Sequence, residues 1–248
     1  MQIAFLTDIH SNREALSAVL AHVAARPRPV DRFVLLGDYV GYGADPQWTI
    51  DTIADLVDKG AIAIRGNHDE AAIGAAHGMN AMAASAIDWT NRHLDKASLQ
   101  FLERLPLTAI DDDRLYVHAD ASAPDRWLYV MDGEAARRSL EAAETRLVFS
   151  GHVHIPGIYG LSNIGKLTPF KPVPGIAVPL LAQRRWLALI GSVGQPRDGD
   201  PAAAYAVYDT HSAEIAFQRV PYDVDRAAEK IRAAGLPSGL ASRLYAGR

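Results

Sequence analysis

The chain has no cysteine among its 248 residues. Disulfides and thiolate metal sites are therefore excluded, and any bound metal must take nitrogen and oxygen ligands. It also lacks a basic excess: 25 Lys and Arg stand against 29 Asp and Glu, for a net charge of −4. A stable nucleic-acid partner normally needs a basic footprint, so none is expected. No apolar run approaches the roughly 18 residues that a membrane span requires, so no membrane partner is expected either. The opening "MQIAFLTDIH" carries no basic segment ahead of its short apolar run and does not read as a secretory signal. A cytoplasmic protein is the expectation. No internal repeat, low-complexity tract or linker interrupts the chain, which predicts one domain over residues 1–248.

In the first half, short apolar runs alternate with amphipathic stretches. "IAFLT" (3–7), "RFVLLGD" (32–38), "AIAIRG" (61–66), "RLYVHA" (114–119) and "RLVFSGH" (146–152) read as strands. "SNRE" (11–14) has the Ser-x-x-Glu form of a capping box, and Ala15, Leu16, Val19, Leu20 and Val23 follow at helical spacing. Asp45 and Pro46 read as an N-cap and first-turn proline. Residues 71–104 and 133–144 read as helical. The second half is richer in glycine and proline. There 184–191, 203–209 and 213–219 read as antiparallel strands. A final helix is expected from Asp223 to about Gly235, with Pro237 as its stop. Strand–helix units followed by strands predict an α/β protein of two packed sheets flanked by helices.

The polar residues that end the predicted strands are the chemical signal. The first strand runs into Asp8 and His10, the second into Asp38, and the third into Asn67 and His68. The fourth ends at His118, and the fifth at His152 and His154. Ligands in α/β proteins gather outside the carboxyl ends of strands, so these side chains are expected to share one crevice. Taken singly, Asp8, Asp38 and Asn67 read as well as turn residues, and His118 as a core histidine. Their joint placement points to metal. One ion cannot use so many ligands, whereas two ions sharing a carboxylate can, and such a pair clamps the attacking and leaving oxygens of a displacement at phosphorus. Carboxylate, imidazole and amide ligands suit Mn, Fe, Zn, Ni or Co, with Mn favoured. The other four histidines, His22, His77, His93 and His211, read as structural or surface residues. His77, in a glycine-rich loop, comes nearest to an exception.

Asp8-Ile9-His10, Gly37-Asp38, Gly66-Asn67-His68-Asp69, His118 and Gly151-His152-Val153-His154 together resemble the motif blocks of the calcineurin-like metallophosphoesterases. The likeness extends to a bacterial and archaeal branch of that superfamily through "GDYVGYGADP" (37–46), "AIDWT" (86–90), "GSVGQPRDGDPAAAYAVYD" (191–209) and "LPSGLASRL" (236–244). The resemblance implies a four-layer αββα sandwich of two mixed β-sheets. It implies one divalent ion on Asp8, His10, Asp38 and His154, and a second on Asp38, Asn67, His118 and His152, with Asp38 shared. It implies that His68 is no ligand and acts as general acid toward the leaving group. The expected reaction is attack of a metal-activated hydroxide on a phosphodiester or phosphomonoester of a small molecule, a nucleotide among the candidates.

Two departures narrow this expectation. The protein-phosphatase branch reads Gly-Asp-x-x-Asp-Arg-Gly at its second block, and here Gly41 and Tyr42 stand for that Asp and Arg. A Ser/Thr protein phosphatase is therefore not expected. Another residue must orient His68, with Asp45 and Asp69 as candidates. Arg197, the Gly191–Ser192 region and Tyr42 are candidates for gripping substrate. Leu189 and Ile190 replace the Asn-Pro that usually precedes that Gly-Ser pair. Hydrolysis of a nucleotide pyrophosphate bond is the alternative chemistry, and a non-catalytic scaffold on the same fold is the alternative class.

Overall fold

The computed structural model describes residues 1–74 and 79–248, so His77 lies outside the described residues. Two six-stranded sheets face each other. The first runs in the order β3 (Ile62–Ala63), β2 (Arg32–Leu35), β1 (Gln2–Leu6), β11 (Ala203–Asp209), β12 (Glu214–Val220) and β9 (Ala177–Pro179). The second runs β4 (Thr108–Asp111), β5 (Arg114–Val117), β6 (Leu147–Ser150), β10 (Arg184–Leu189), β7 (Gly157–Ser162) and β8 (Leu167–Phe170). Both sheets are mixed: β1, β2 and β3 pair in parallel, as do β5, β6 and β10, while the outer strands pair antiparallel.

Strand alternation explains the layering. In β1, Ile3 and Phe5 point into the core between the sheets, and Ala4 and Leu6 point to the opposite face. Phe5 stacks on Phe149 of β6 with ring centroids 4.2 Å apart and planes 10° from parallel. Both rings are fully buried, so truncating either to alanine should cost about 3–5 kcal/mol. On the outer face of the first sheet, α1 (Arg13–Ala24) and α2 (Pro46–Asp58) lay down Leu16, Val19, Ile50 and Ile53. On the outer face of the second, α6 (Gly133–Ala142) lays down Ala136 and Leu140. The result is the expected four-layer αββα sandwich.

Several local expectations are corrected. Helix α1 is capped by Asn12, whose Oδ1 accepts from the Ala15 amide, so the capping box at Ser11 does not form. Asp45 precedes α2 but makes no capping bond; its carboxylate pairs with Lys230 at 2.9 Å. The region 71–104 divides into α3 (Asn67–Ala72), α4 (Ala81–Asn91) and α5 (Lys96–Arg104), and α3 begins before that region does. Pro237 does not end the helical part of the chain. It precedes α8 (Ser238–Ala246), which buries Leu240, Ala241 and Leu244 against α7 (Val224–Ala233) and α4.

Candidate metal centre

The parallel strands β1, β2, β3, β5 and β6 release the chain at one edge of the sandwich, and the polar residues singled out above follow directly. The turns there are sharp. Of the ten non-glycine residues with positive φ among the described residues, eight stand at this edge: Asp8, His10, Ser11, Asp38, Tyr42, Trp127, His152 and His154. Left-handed backbone at non-glycine residues is sparsely populated and clusters at functional sites. Two glycines make the crowding possible. A Cβ on Gly66 would collide with the Asp38 carboxylate and amide. A Cβ on Gly41, itself at φ +83, would collide with Nδ1 of His68.

Two groups of buried ligand atoms form, each within 4.8 Å of one another: Asp8, His10, Asp38 and His154, and Asp38, His118 and His152. Each carboxylate gives one oxygen to the protein and turns the other inward. Asp8 Oδ2 accepts from Thr7 Oγ1 at 2.8 Å and from the His152 amide at 2.9 Å. Asp8 Oδ1 is buried with no hydrogen-bond partner among the described residues. Asp38 Oδ1 accepts from the His68 amide at 2.8 Å, while Oδ2 lies 3.7 Å from His10 Nε2 and 3.4 Å from His118 Nε2. Asn67 brings Oδ1 within 3.3 Å of the same His118 nitrogen.

The imidazoles are held in one tautomer by the backbone. The Nδ1–H of His10 donates to the Val40 carbonyl at 3.1 Å, that of His154 to Gln195 at 2.6 Å, and that of His118 to Leu36 at 2.7 Å. In the neutral ring each Nε2 therefore carries the lone pair; His118 Nε2, facing Asn67 Oδ1 and Asp38 Oδ2, holds a proton that a cation would displace. His10 Nε2 and His154 Nε2 face each other at 3.1 Å, and His154 Nε2 is 3.1 Å from Asp8 Oδ1. Lone pairs and carboxylate oxygens converging on a buried point need a cation between them, so this donor set fits divalent metal. Charge agrees with geometry. Burial alone would push Asp8 and Asp38 up, but His154 beside Asp8 and His118 beside Asp38 outweigh it and hold both well below the usual carboxylate range. Burial would lower His118, and Asp38 and Asp8 instead raise it to about 9.

His68 belongs to neither group. Its ring packs between Tyr42, 4.4 Å away, and His10, 4.7 Å away, and its buried Nδ1 has no partner among the described residues. Burial holds it at about 4, so the ring does not titrate near neutrality as its residue type suggested. Neither proposed orienting carboxylate reaches it. Asp45 is paired with Lys230, and Asp69 accepts from the amides of Asp38, Gly66, Tyr39 and Val40. Asp69 thus shapes the turn that carries Asp38, and His68 is oriented by ring packing. The Ser192 side chain has a structural task. It is fully buried, and its hydroxyl donates to the Asp8 carbonyl, accepts from the Gln195 amide and so braces the Asp8 turn. Arg197 stands 6.0 Å over the Tyr42 ring, with Nη2 on Gln195 Oε1 and Nε unpartnered. His22, His93 and His211 lie away from the cluster; His22 bonds Tyr205 and His93 stacks on Trp89.

A cavity of about 240 Å³ opens beside the cluster, walled by Tyr42, His68, Arg126, Trp127, Tyr129 and His152 among others. The segment 126–129 was missed by sequence reasoning. Its signal was faint: an aromatic run, "RWLYV" (126–130), with neither strand nor helix periodicity, in a connection following one ligand strand.

The calcineurin-like phosphoesterase family model matches residues 1–156. An uncharacterized protein of Methanocaldococcus jannaschii is 35% identical over 99% of this chain and 98% of its own. A crystal structure of a metallophosphoesterase from Sphaerobacter thermophilus superposes with a TM-score of 0.88 at 37% identity, covering 100% and 99% of the two chains. A hypothetical protein of Pyrococcus horikoshii shares the fold, with a TM-score of 0.81 at 18% identity over 100% and 98% of the chains. This chain belongs to the calcineurin-like phosphoesterase family, and within the matched residues its buried Asp and His side chains form a cluster that could hold metal.

Proposed function

We propose that the protein is a two-metal phosphoesterase that hydrolyses phosphomonoesters or phosphodiesters of small molecules. The observation that carries this reading is the inward Oδ2 of Asp38, which lies between His10 Nε2 and His118 Nε2 and so belongs to both ligand groups. Asp8, His10, Asp38 and His154 would hold one cation, and Asp38, Asn67, His118 and His152 the other. Two divalent cations, when bound, neutralise the ester oxygens and make water acidic enough to ionise near neutral pH.

The chain's own residues supply the remainder. The backbone carbonyls of Val40, Leu36 and Gln195 keep three imidazoles turned inward before any ligand arrives. Tyr42 closes over His10 and His68 and keeps water from that side. Arg197, with a free Nε beside Tyr42, offers its guanidinium to a phosphate oxygen. His68 lines the cavity with no side-chain hydrogen bond among the described residues; its neutral ring donates an N–H hydrogen bond to the departing oxygen, and only the cationic ring can pass that oxygen a proton. A cavity of about 240 Å³ suits a small ester, nucleotides included, rather than a folded protein substrate.

The test is a substrate comparison after metal removal and Mn²⁺ addition. Bis-p-nitrophenyl phosphate, p-nitrophenyl phosphate and a dinucleoside polyphosphate are each assayed with metal content measured on the same sample. Two Mn²⁺ per chain and turnover of the first or second compound support the reading. Turnover of the polyphosphate alone moves the reaction to a pyrophosphate bond, and metal-free, inert protein moves the chain to a scaffold.

A further inference from the structure

Trp127 sits in an unusual place. It ends a 3₁₀ turn (Pro124–Arg126) with φ +52 and ψ +37, a conformation that a bulky aromatic rarely adopts. That twist lets its parts face three neighbours. Its carbonyl accepts from His152 Nε2 at 3.0 Å. A carbonyl cannot donate, so His152 carries its proton on Nε2 and keeps the Nδ1 lone pair free. Its ring lies edge-on to His118, centroids 5.8 Å apart. Its indole N–H donates to Glu70 Oε2 at 2.7 Å, and Glu70 belongs to α3, which begins at Asn67. The connection is braced further where the Asp120 amide donates to the Leu128 carbonyl. Tyr129 then stacks on His152, ring centroids 4.0 Å apart.

We propose that Trp127, anchored by Glu70, is a positioning residue for the metal position formed by Asn67, His118 and His152. The inference rests on the two-metal reading above. His10, His118 and His154 take their orienting carbonyls from residues 36, 40 and 195, close to the sheet ends. His152 takes its own from Trp127, deep in the connection between β5 and α6, and that carbonyl needs an anchor of its own. The Glu70–Trp127 bond is that anchor, and it ties the orientation of His152 to the helix that presents Asn67. Groups that hydrogen-bond the far nitrogen of a metal-bound imidazole fix its tautomer and ring angle, and losing one typically weakens metal binding by about 10- to 100-fold.

The experiment titrates metal-free protein with Mn²⁺ by calorimetry. Wild type should bind two ions. Glu70→Ala and Trp127→Gly should each weaken one of the two by about 10-fold or more and leave the other unchanged. Glycine tolerates φ +52, so its loss reports the indole rather than backbone strain. Glu70→Gln keeps an oxygen for the indole N–H and should restore binding toward wild type. A purely structural role would move both ions together or neither. Two-site binding unchanged in both Glu70→Ala and Trp127→Gly overturns the inference. Wild type that binds one ion or none overturns the two-metal reading itself, a separate and distinguishable failure.

Discussion

His10 and His154 turn their Nε2 atoms toward each other across 3.1 Å, and as neutral rings they have no proton to place between them. Both Nδ1 atoms are already committed to backbone carbonyls. The protein therefore folds two lone pairs into a buried site beside Asp8, an arrangement that costs stability unless a cation takes up the charge. Metal should accordingly stabilise the fold as well as enable chemistry. Saturating Mn²⁺ should raise the unfolding temperature, with about 2.7 kcal/mol gained at a hundredfold excess over the dissociation constant. Thermal melts across a metal series check this.

Asp38 should be the least replaceable ligand, because both groups share it. Asp38→Ala should lose both ions and more activity than the roughly 100-fold that outer-shell changes cost. Asp8→Ala should lose one ion and keep some binding at the other position. Metal content and turnover measured together separate the two variants.

His68→Ala should keep its metal, since His68 belongs to neither ligand group. Activity should fall by about 10²- to 10⁴-fold on esters with poor leaving groups, and far less on p-nitrophenyl esters, whose leaving oxygen needs little help. Equal losses across leaving groups would argue that His68 acts by packing alone.

Gly41→Ala should behave as an indirect His68 variant. The position has φ +83, and a Cβ would enter the space of the imidazole. The substitution should destabilise by more than about 1 kcal/mol and displace His68 while the metal ligands stay in place. Denaturant melts and Mn²⁺ content give the two readouts.

Alkaline stability should report on Tyr222, away from the metal ligands. Burial pushes its hydroxyl up to about 12, Glu14 adds to the rise, and a hydrogen bond from Asn12 opposes it. The folded protein thus favours the neutral form. The associated stability is complete below the ordinary tyrosine value near 10 and is lost as pH rises from there toward 12. Relative to Tyr222→Phe, wild type should lose about 1.4 kcal/mol per pH unit in that window. Urea midpoints of both proteins at pH 9, 10 and 11 measure it.

The first half of the fold was legible because each strand there is a short apolar run that stops at a polar ligand. Buried parallel strands leave no other place for Asp8, Asp38 and His118 than the strand ends. The weaker strands were harder. β7 contains Gly160, whose missing side chain makes room for Trp186, and β8 contains Pro169, so neither shows clean alternation. α8 was hidden by reading Pro237 as a stop, although proline just before a helix is favourable too. At the site, the residues that gather in the two candidate ligand groups could be named from type and position. The roles of Asp69, Ser192 and Trp127 could not, because each acts through hydrogen bonds to backbone groups far away in sequence, which no local pattern records.

Crystals of the Mn²⁺-soaked protein, with anomalous scattering recorded at the metal edge, test the central claim most directly. The account predicts two peaks, one on each side of Asp38, the first among His10, His154 and Asp8 and the second among His118, His152 and Asn67. A lone peak, or a pair that leaves Asp38 in contact with only one of them, would contradict it.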